Sequence, residues 1–292
     1  MTTRAGILVA LLLFGGIEPV AAQEADHFLV VKPGDPAATP DRAGAFLAAM
    51  GRWLEAKLPA SEHVEGRIAN RADQAAAAIA RDSPILAFVP AGFYLGAIAP
   101  GLTPARVVAQ IPRFGVDVER YYLVTAKGGP PTPAALRGTT VRTTADFDAA
   151  YLRRVVFADG LVPGEDFRLE ASENLADELF YLLEGDPAGP DALLLDEELK
   201  HFFEADDFVW PELQVIWRSA PLPRDLVVAF GEWSEGELAA LRDALVAMDE
   251  TPEGRELLDL MDSEGFEAVD RELLERAATL YRSSGGGVTT HR

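Results

Sequence analysis

The sequence predicts an α/β protein built on mixed, mostly parallel sheets flanked by helices, and three observations predict it. Short apolar runs alternate with helical periodicities along nearly the whole chain. Turn residues separate them. A Lys-Gly-Gly-Pro-Pro break at 127–131 is followed by a second unit with the same strand-then-helix order. The 292 residues are 49% hydrophobic and 25% charged, enough apolar material for one large or two medium domains.

Residues 1–22 follow the plan of a secretory signal peptide. Arg4 precedes an apolar run over 5–14, and small Val20, Ala21 and Ala22 stand ahead of polar Gln23 and Glu24. Cleavage is expected after about Ala22, and the mature protein is expected to be periplasmic. The run is shorter than the roughly 20 apolar residues of a membrane span, and no later run reaches that length. With no cysteine in the chain, disulfides and thiol chemistry are excluded. The net charge is −21, and loss of Arg4 and Glu18 with the leader leaves it unchanged. So acidic a surface speaks against nucleic acid and anionic membranes as partners.

The elements follow in order. A buried strand at 27–31 ends in Lys-Pro-Gly-Asp-Pro, and Phe46, Leu47, Met50, Trp53, Leu54 and Leu58 recur at helical spacing before Pro59. A weaker strand at 63–68, an alanine-rich helix at 71–81 and a buried strand at 85–89 come next, the last ending at Phe93 and Tyr94. Strands are expected at 107–111 and 121–126. Beyond the break, the second unit runs strand 139–141, helix 147–161, strand 167–170, helix 175–183, strand 192–195 and a helix through Leu199 and Phe203. Strands at 213–217 and 226–230 flank Ser-Ala-Pro-Leu-Pro. Ser234 and Glu237 form a capping box that opens a helix, Pro252 suits the first turn of another, and a last helix over 269–281 precedes a glycine-rich tail, 284–292, expected to be mobile.

In open α/β sheets, ligands gather at the C-terminal edges of strands. The stretch 136–151 is the leading candidate, because Thr143 and Thr144 offer hydroxyls and a helix start just past a strand, and Arg142 adds a positive charge suited to an oxyanion. Phe93 and Tyr94 are candidate cleft walls, and Asp148 falls at the start of the helix. No catalytic motif is present: no H-E-x-x-H, G-x-S-x-G or P-loop occurs, and an enzyme is not expected. Glu197 and His201 share a helix face, but two such residues on an acidic helix are a weak metal pair, and no metal or other cofactor is expected.

Six stretches taken together resemble the phosphonate- and phosphate-binding branch of the type II periplasmic solute-binding proteins. They are I-L-A-F-V-P-A-G-F-Y at 85–94, Y-Y-L-V-T-A at 121–126, L-x-G-x-x-V at 136–141, D-A-L-L-L-D at 191–196, L-Q-V-I-W-R-S-A-P-L-P at 213–223 and T-P-E-G-R-E-L-L at 251–258. The resemblance implies two lobes, 23–122 with 225–292 and 123–224, joined by two crossing strands and closing on a small solute. It implies a monomeric substrate-binding component that delivers a small-molecule solute to an ABC permease in the inner membrane. Asp196 matches a family aspartate that faces the ligand, often an amine on it. The family's Ser/Thr run ending in glycine would fall near 148–151, where this chain has Asp-Ala-Ala-Tyr. That departure, with Asp146 and Asp148 nearby, leaves two solutes open, a phosphonate- or phosphate-like anion and a zwitterion or cation. It also leaves a second role open, an exported sensor or accessory subunit of another periplasmic protein with a degenerate site.

Overall fold

The computed structural model describes residues 26–33, 38–58, 63–101, 104–116, 118–145, 148–158, 160–172 and 174–283. The expected leader, Asp146 and the tail at 284–292 lie outside the described residues.

Two five-stranded sheets organise the chain. The first is built from β1 (Asp26–Val31), β2 (Val64–Ala69), β3 (Leu86–Val89), β4 (Ala105–Ile111) and β10 (Asp225–Phe230), in the order β2-β1-β3-β10-β4. The second holds β5 (Tyr122–Ala126), β6 (Thr140–Thr143), β7 (Arg168–Ala171), β8 (Ala192–Leu195) and β9 (Leu213–Arg218), in the order β7-β6-β8-β5-β9. The two orders are one pattern used twice. Each sheet keeps four strands of its own and inserts one that arrives from the other half of the chain, β10 in the first and β5 in the second.

Those inserted strands make the sheets evenly mixed. β1 pairs in parallel with β2 and β3, but β10 runs antiparallel to both β3 and β4; likewise β6 pairs in parallel with β7 and β8, while β5 is antiparallel to β8 and β9. A strand that enters from the opposite lobe points the other way, so half of the pairings are antiparallel although the other four strands of each sheet share one direction, the mostly parallel arrangement expected from strand–helix alternation. β1, β3, β8 and β10 read as continuous apolar runs because helices or neighbouring segments cover both their faces.

Helix α1 (Pro40–Lys57) packs Leu47, Met50 and Leu54 on one face of the first sheet together with α7 (Glu235–Val246) and α8 (Pro252–Asp259), whose Leu241, Leu245, Leu257 and Leu258 join the same core. α2 (Ala72–Asp82) covers the other face through Ala75 and Ile79. On the second sheet, α5 (Leu175–Glu184) and α6 (Glu197–Glu204) bury Leu175, Leu179, Leu182 and Phe203 against β5 and β8. The capping box closes as expected: the Ser234 hydroxyl accepts from the Glu237 N–H while the Glu237 carboxylate accepts from the Ser234 N–H at 2.8 Å. Two short helices, α3 (Ala91–Phe93) and α4 (Ala149–Tyr151), each widen into a five-residue π turn, Tyr94–Ile98 and Leu152–Val156.

Two segments cross between the sheets, 112–121 outward and 219–224 on the return, and they are paired with each other. Glu119 and Leu222 exchange both backbone hydrogen bonds (3.2 and 2.9 Å), and the Ser219 hydroxyl accepts from the Tyr121 N–H at 3.0 Å. The final helix α9 (Arg271–Ser283) lies over this hinge. Arg276 donates to the Pro221 carbonyl, Ala277 and Tyr281 pack into the core of the second lobe, and Leu274 reaches both cores.

Gly51 shows how close the first layer is. A Cβ there would run into the Val64 carbonyl of β2, whereas one at Gly44 on the same helix would meet nothing within 4 Å. Gly51→Ala is expected to cost about 1–3 kcal/mol by pushing α1 off the sheet, and Gly44→Ala to be neutral or stabilising by a few tenths of a kcal/mol through helix propensity. Thermal melts of the two variants check the contrast.

Candidate functional site

The strand ends and both crossings enclose a cleft of about 330 Å³. From the first lobe come Lys32 at the end of β1, Pro90 to Gly92 past β3, and Arg113 and Phe114 past β4. From the second come Thr144 and Ala145 past β6, Tyr151 of α4, the start of α5 at Asn174, and Asp196 to Leu199 past β8. The crossings supply Glu119, Tyr121, Pro223, Arg224 and Asp225. Every contribution sits at a strand end or on the hinge, where an α/β sheet leaves its backbone N–H groups and helix starts open.

The lobes touch at both rims. On one side the Glu198 carboxylate of α6 accepts from Lys32 Nζ at 3.1 Å and from Arg113 Nη1 at 2.9 Å, and the Phe114 ring stacks on His201 with centroids 4.5 Å apart. Phe114 and Gly115 both have positive φ, 58° and 61°, in a tight turn closed by the Val116 N–H on the Arg113 carbonyl. That turn aims the phenyl ring at α6. On the other side, Gly92 and Gly96 lie against α4: a Cβ at Gly92 would be 2.9 Å from the Tyr151 ring, and one at Gly96 would be 2.6 Å from the Asp148 carboxylate. These two glycines let α3 and α4 meet.

Charge inside the cleft is mixed. Glu119 accepts from the Glu197 N–H at 3.0 Å and Asp196 accepts from the Leu199 N–H at 2.8 Å, so both carboxylates sit on the N-terminus of α6, where the helix dipole favours them. Burial pushes Asp196 up to about 6, with the Glu198 charge adding to it and the Leu199 N–H opposing it. Burial, then Asp196 itself, raises Glu119 well above the usual carboxylate range. Both still meet solvent in the cleft, which screens part of that push. Glu198 goes the other way: Lys32, against the cost of burial and with help from Arg113, holds it below the ordinary glutamate value. Tyr121 and Tyr151 are buried phenols raised chiefly by desolvation.

Arg224 differs from the other two cations. It is 5% exposed, and its Nε and Nη1 have no hydrogen-bond partner among the described residues. Arg113 also leaves Nε unpartnered, but its charge is met by Glu198 and by Asp225 at 3.6 Å.

Of the residues expected to bind ligand, Thr144 and Asp196 line the cleft. The other five lie outside its lining. Phe93 is buried in the core against the first sheet, and Tyr94 is half-buried between the two cores. Arg142 on β6 pairs with Glu170 (3.1 Å) and Glu178 (3.3 Å). Thr143 is fully buried, its hydroxyl accepting from the Ala145 N–H at 3.1 Å. Asp148 caps α4, accepting from the Ala150 and Tyr151 N–H groups at 3.0 Å each and from the Tyr281 hydroxyl at 3.1 Å. Glu197 accepts from the Tyr122 hydroxyl at 2.8 Å while His201 stacks on Phe114, so these two do not converge on a common ion. Arg113, Glu119 and Arg224 were not singled out from sequence. The crossings that carry them have no periodicity, and the one available signal is a charge set beside proline between two buried strands.

Two mixed α/β lobes joined by a paired double crossing, with a cleft at the facing strand ends that sets a few charged groups among apolar walls, define a periplasmic-type solute-binding protein. The comparisons give the particular family. Residues 35–274 match the family of ABC-transporter phosphonate periplasmic substrate-binding proteins, and the chain belongs to that family. No curated protein matches it in sequence. Among solved structures, Xanthomonas citri XAC2383 bound to chloride ion aligns with TM-score 0.72 and 13% identity, over 88% of this chain and 98% of that one. PhnD1 from Prochlorococcus marinus in complex with methylphosphonate aligns with TM-score 0.66 and 13% identity, over 89% and 98%. The binding-protein component of an ABC phosphonate transporter from Pseudomonas aeruginosa, PA3383, aligns with TM-score 0.63 and 15% identity, over 88% and 85%. The chain is therefore a periplasmic substrate-binding component of the ABC-importer type.

Among the described residues, Glu198 is the one carboxylate that joins Lys32 and Arg113 across the cleft. Glu198→Gln is expected to shift the unliganded protein towards wider lobe separation, seen as a larger radius of gyration in small-angle scattering. Raising salt to about 0.5 M should have the same effect on the wild type, because the pair is half exposed and screened. A radius unchanged in both cases would show that these pairs do not hold the lobes together.

Proposed function

We propose that the chain captures a small organophosphonate-class solute that also carries a cationic group, and delivers it to an ABC permease. The reading rests on family membership for the transport role, and on the cleft for the solute. The observation that carries it is the pair of carboxylates, Glu119 and Asp196, held together on the α6 N-terminus in a cleft that also contains Arg224. Two carboxylates raised by burial, with the Asp196 charge acting on Glu119, offer an ammonium group a place where its charge relieves both effects. A buried guanidinium offers an oxyanion the same relief. Methylphosphonate in the Prochlorococcus relative fits the anionic half of such a solute. Thr144 and Asp196 remain the sequence-derived candidates for contact with it. Export with cleavage after about Ala22, and action as a monomer whose lobes divide near 122 and 224, belong to the same proposal. The accessory-subunit alternative is not favoured by the family match.

Titration calorimetry with an aminoalkylphosphonate, the alkylphosphonate of equal length, inorganic phosphate and an alkyl diamine tests the solute class. The aminoalkylphosphonate is expected to bind tightest, by at least about tenfold, since losing one charge-assisted contact costs roughly 1.5–3 kcal/mol. Its affinity should hold above pH 6 and fall by up to about tenfold per unit below it, because an ammonium needs the ionised carboxylate and Asp196 takes up a proton near pH 6 when the cleft is empty. Equal affinity for the plain alkylphosphonate, with no pH dependence, would remove the cationic half of the proposal.

Stability of the empty protein should show the same carboxylate with the opposite sign. A raised Asp196 means that the folded state binds the proton more tightly than the unfolded chain, so stability falls as pH rises from about 4 to about 6. Asp196→Asn keeps an equally good helix cap. At pH 7.5 it is expected to stabilise the unliganded protein by about 1–2 kcal/mol, after discounting for solvent in the cleft, and to do little at pH 4. Thermal melts at the two pH values decide it, and a destabilised variant at pH 7.5 would contradict the charge assignment.

A further inference from the structure

We infer that Arg224, on the return crossing, is the charged residue that anchors the anionic group of the solute, in place of the α4, α5 and α6 N-termini, which the chain's own side chains occupy. The inference rests on the reading that an anionic solute enters this cleft.

The argument begins with the anion-holding devices at the cleft and asks which are already engaged. The N-terminus of α5 is capped by Asn174, whose side chain accepts from the Ala176 N–H at 3.1 Å. The N-terminus of α6 is taken twice, by Asp196 and by Glu119. At α4, the Asp148 carboxylate accepts from two N–H groups and is closed over by Gly96 and the Tyr281 hydroxyl, so the chain's own anion fills the place an external one would need. α3 starts without a side-chain cap and its helical backbone continues through the π turn to Ile98, so its first turn offers an oxyanion N–H groups but no formal charge to anchor it.

The side-chain cations divide the same way. Lys32 is held by Glu198, and Arg113 by Glu198 and Asp225. Arg142, on β6 and outside the lining, is neutralised by Glu170 of β7 and Glu178 of α5. Arg224 remains, 5% exposed, lining the cleft, with two nitrogens lacking partners and no ion pair among the described residues. A guanidinium taken out of water and left unpaired is costly, and an oxyanion accepting from its fork removes that cost with the geometry arginine suits best. Pro223 fixes the backbone on one side, and β10 begins on the other at Asp225, so the guanidinium is presented from the hinge itself. An anion bound there touches the element about which the lobes move.

The test uses the mature chain, with methylphosphonate and an aminoalkylphosphonate as probes in calorimetry, alongside melting curves of the unliganded protein. Arg224→Gln is expected to weaken both probes roughly 10- to 100-fold, with the unliganded melting temperature unchanged or raised, because an unpaired buried charge has been removed. Arg224→Lys should restore part of the affinity, and Arg142→Gln should bind as wild type. Wild-type affinity in Arg224→Gln overturns the inference and leaves the solute reading intact. A loss of binding that follows a fall in the unliganded melting temperature in both Arg224 variants also overturns it, since that is how a purely structural arginine behaves.

If the wild type binds neither probe, the solute reading fails, and Arg224 is judged by sulfate alone. A sulfate-dependent rise in melting temperature that disappears in Arg224→Gln supports an anion site serving a different solute. A rise that persists in the variant, or no rise in the wild type, overturns the anchor.

Discussion

The two-way hydrogen-bonded pairing of the crossings at Glu119 and Leu222 is the constraint on which the rest depends. Because the outward and return segments are bonded to each other, β5 must enter the second sheet and β10 the first from the hinge side. Both run antiparallel to their neighbours for that reason. The same pairing brings Glu119, Tyr121, Arg224 and Asp225 to one place, although they are about a hundred residues apart in sequence. In the proposed closure one lobe would turn against the other about these residues, so the charges they carry would move least.

Electrostatics follows from that placement. Glu119 on the outward crossing and Asp196 at the end of β8 share the α6 N-terminus; burial raises the proton affinity of both, the Asp196 charge adding to it at Glu119 and the Glu198 charge adding to it at Asp196. Glu198, two residues further along the same helix, escapes this because it reaches the other lobe and finds Lys32 and Arg113. A single short helix thus presents one carboxylate that is satisfied across the cleft and one that is frustrated within it. The satisfied one ties the lobes; the frustrated one favours a cation.

Much of the fold was legible in the sequence. Continuous apolar runs at β1, β3, β8 and β10 stand out because both faces are covered, and the Ser234–Glu237 box carries its own mechanism in four residues. The direction of β5 and β10 was not legible, since a strand's polarity in a sheet is set by where the chain comes from and leaves no mark on its composition. The site was read less well, for a related reason. Thr144 and Asp196 follow strands directly, and position alone brings them to the cleft lining. Phe93 and Thr143 also follow that rule, yet strand-end residues alternate between core and cleft, and a side chain's direction is fixed by the packing around it. Asp148 looked like a possible ligand contact and is a cap, a role that an aspartate just ahead of a helix fills more often. Arg224 lies in an aperiodic hinge, and its significance is the absence of a partner, which only the packed structure reveals.

The overall acidity of the chain constrains how such a site works. A net charge of −21 repels an approaching anion at long range, although salt confines that field to about 8–10 Å at physiological ionic strength. Attraction must then come from charges that act at contact. Inside the cleft, two cations are already spent on Glu198 and Asp225, so the local balance remains acidic unless a carboxylate is protonated or a cation arrives. A solute with a negative end and a positive end meets both conditions in one step. Its positive end offsets the carboxylates that would otherwise oppose the anion, and its near-zero net charge lets it approach an acidic protein with little penalty. A bare dianion of the same size would face the long-range field and the unrelieved carboxylates together. For the proposed solute the charge pattern sets polarity more firmly than shape, through Glu119 and Arg224 on the crossings and Asp196 at the end of β8.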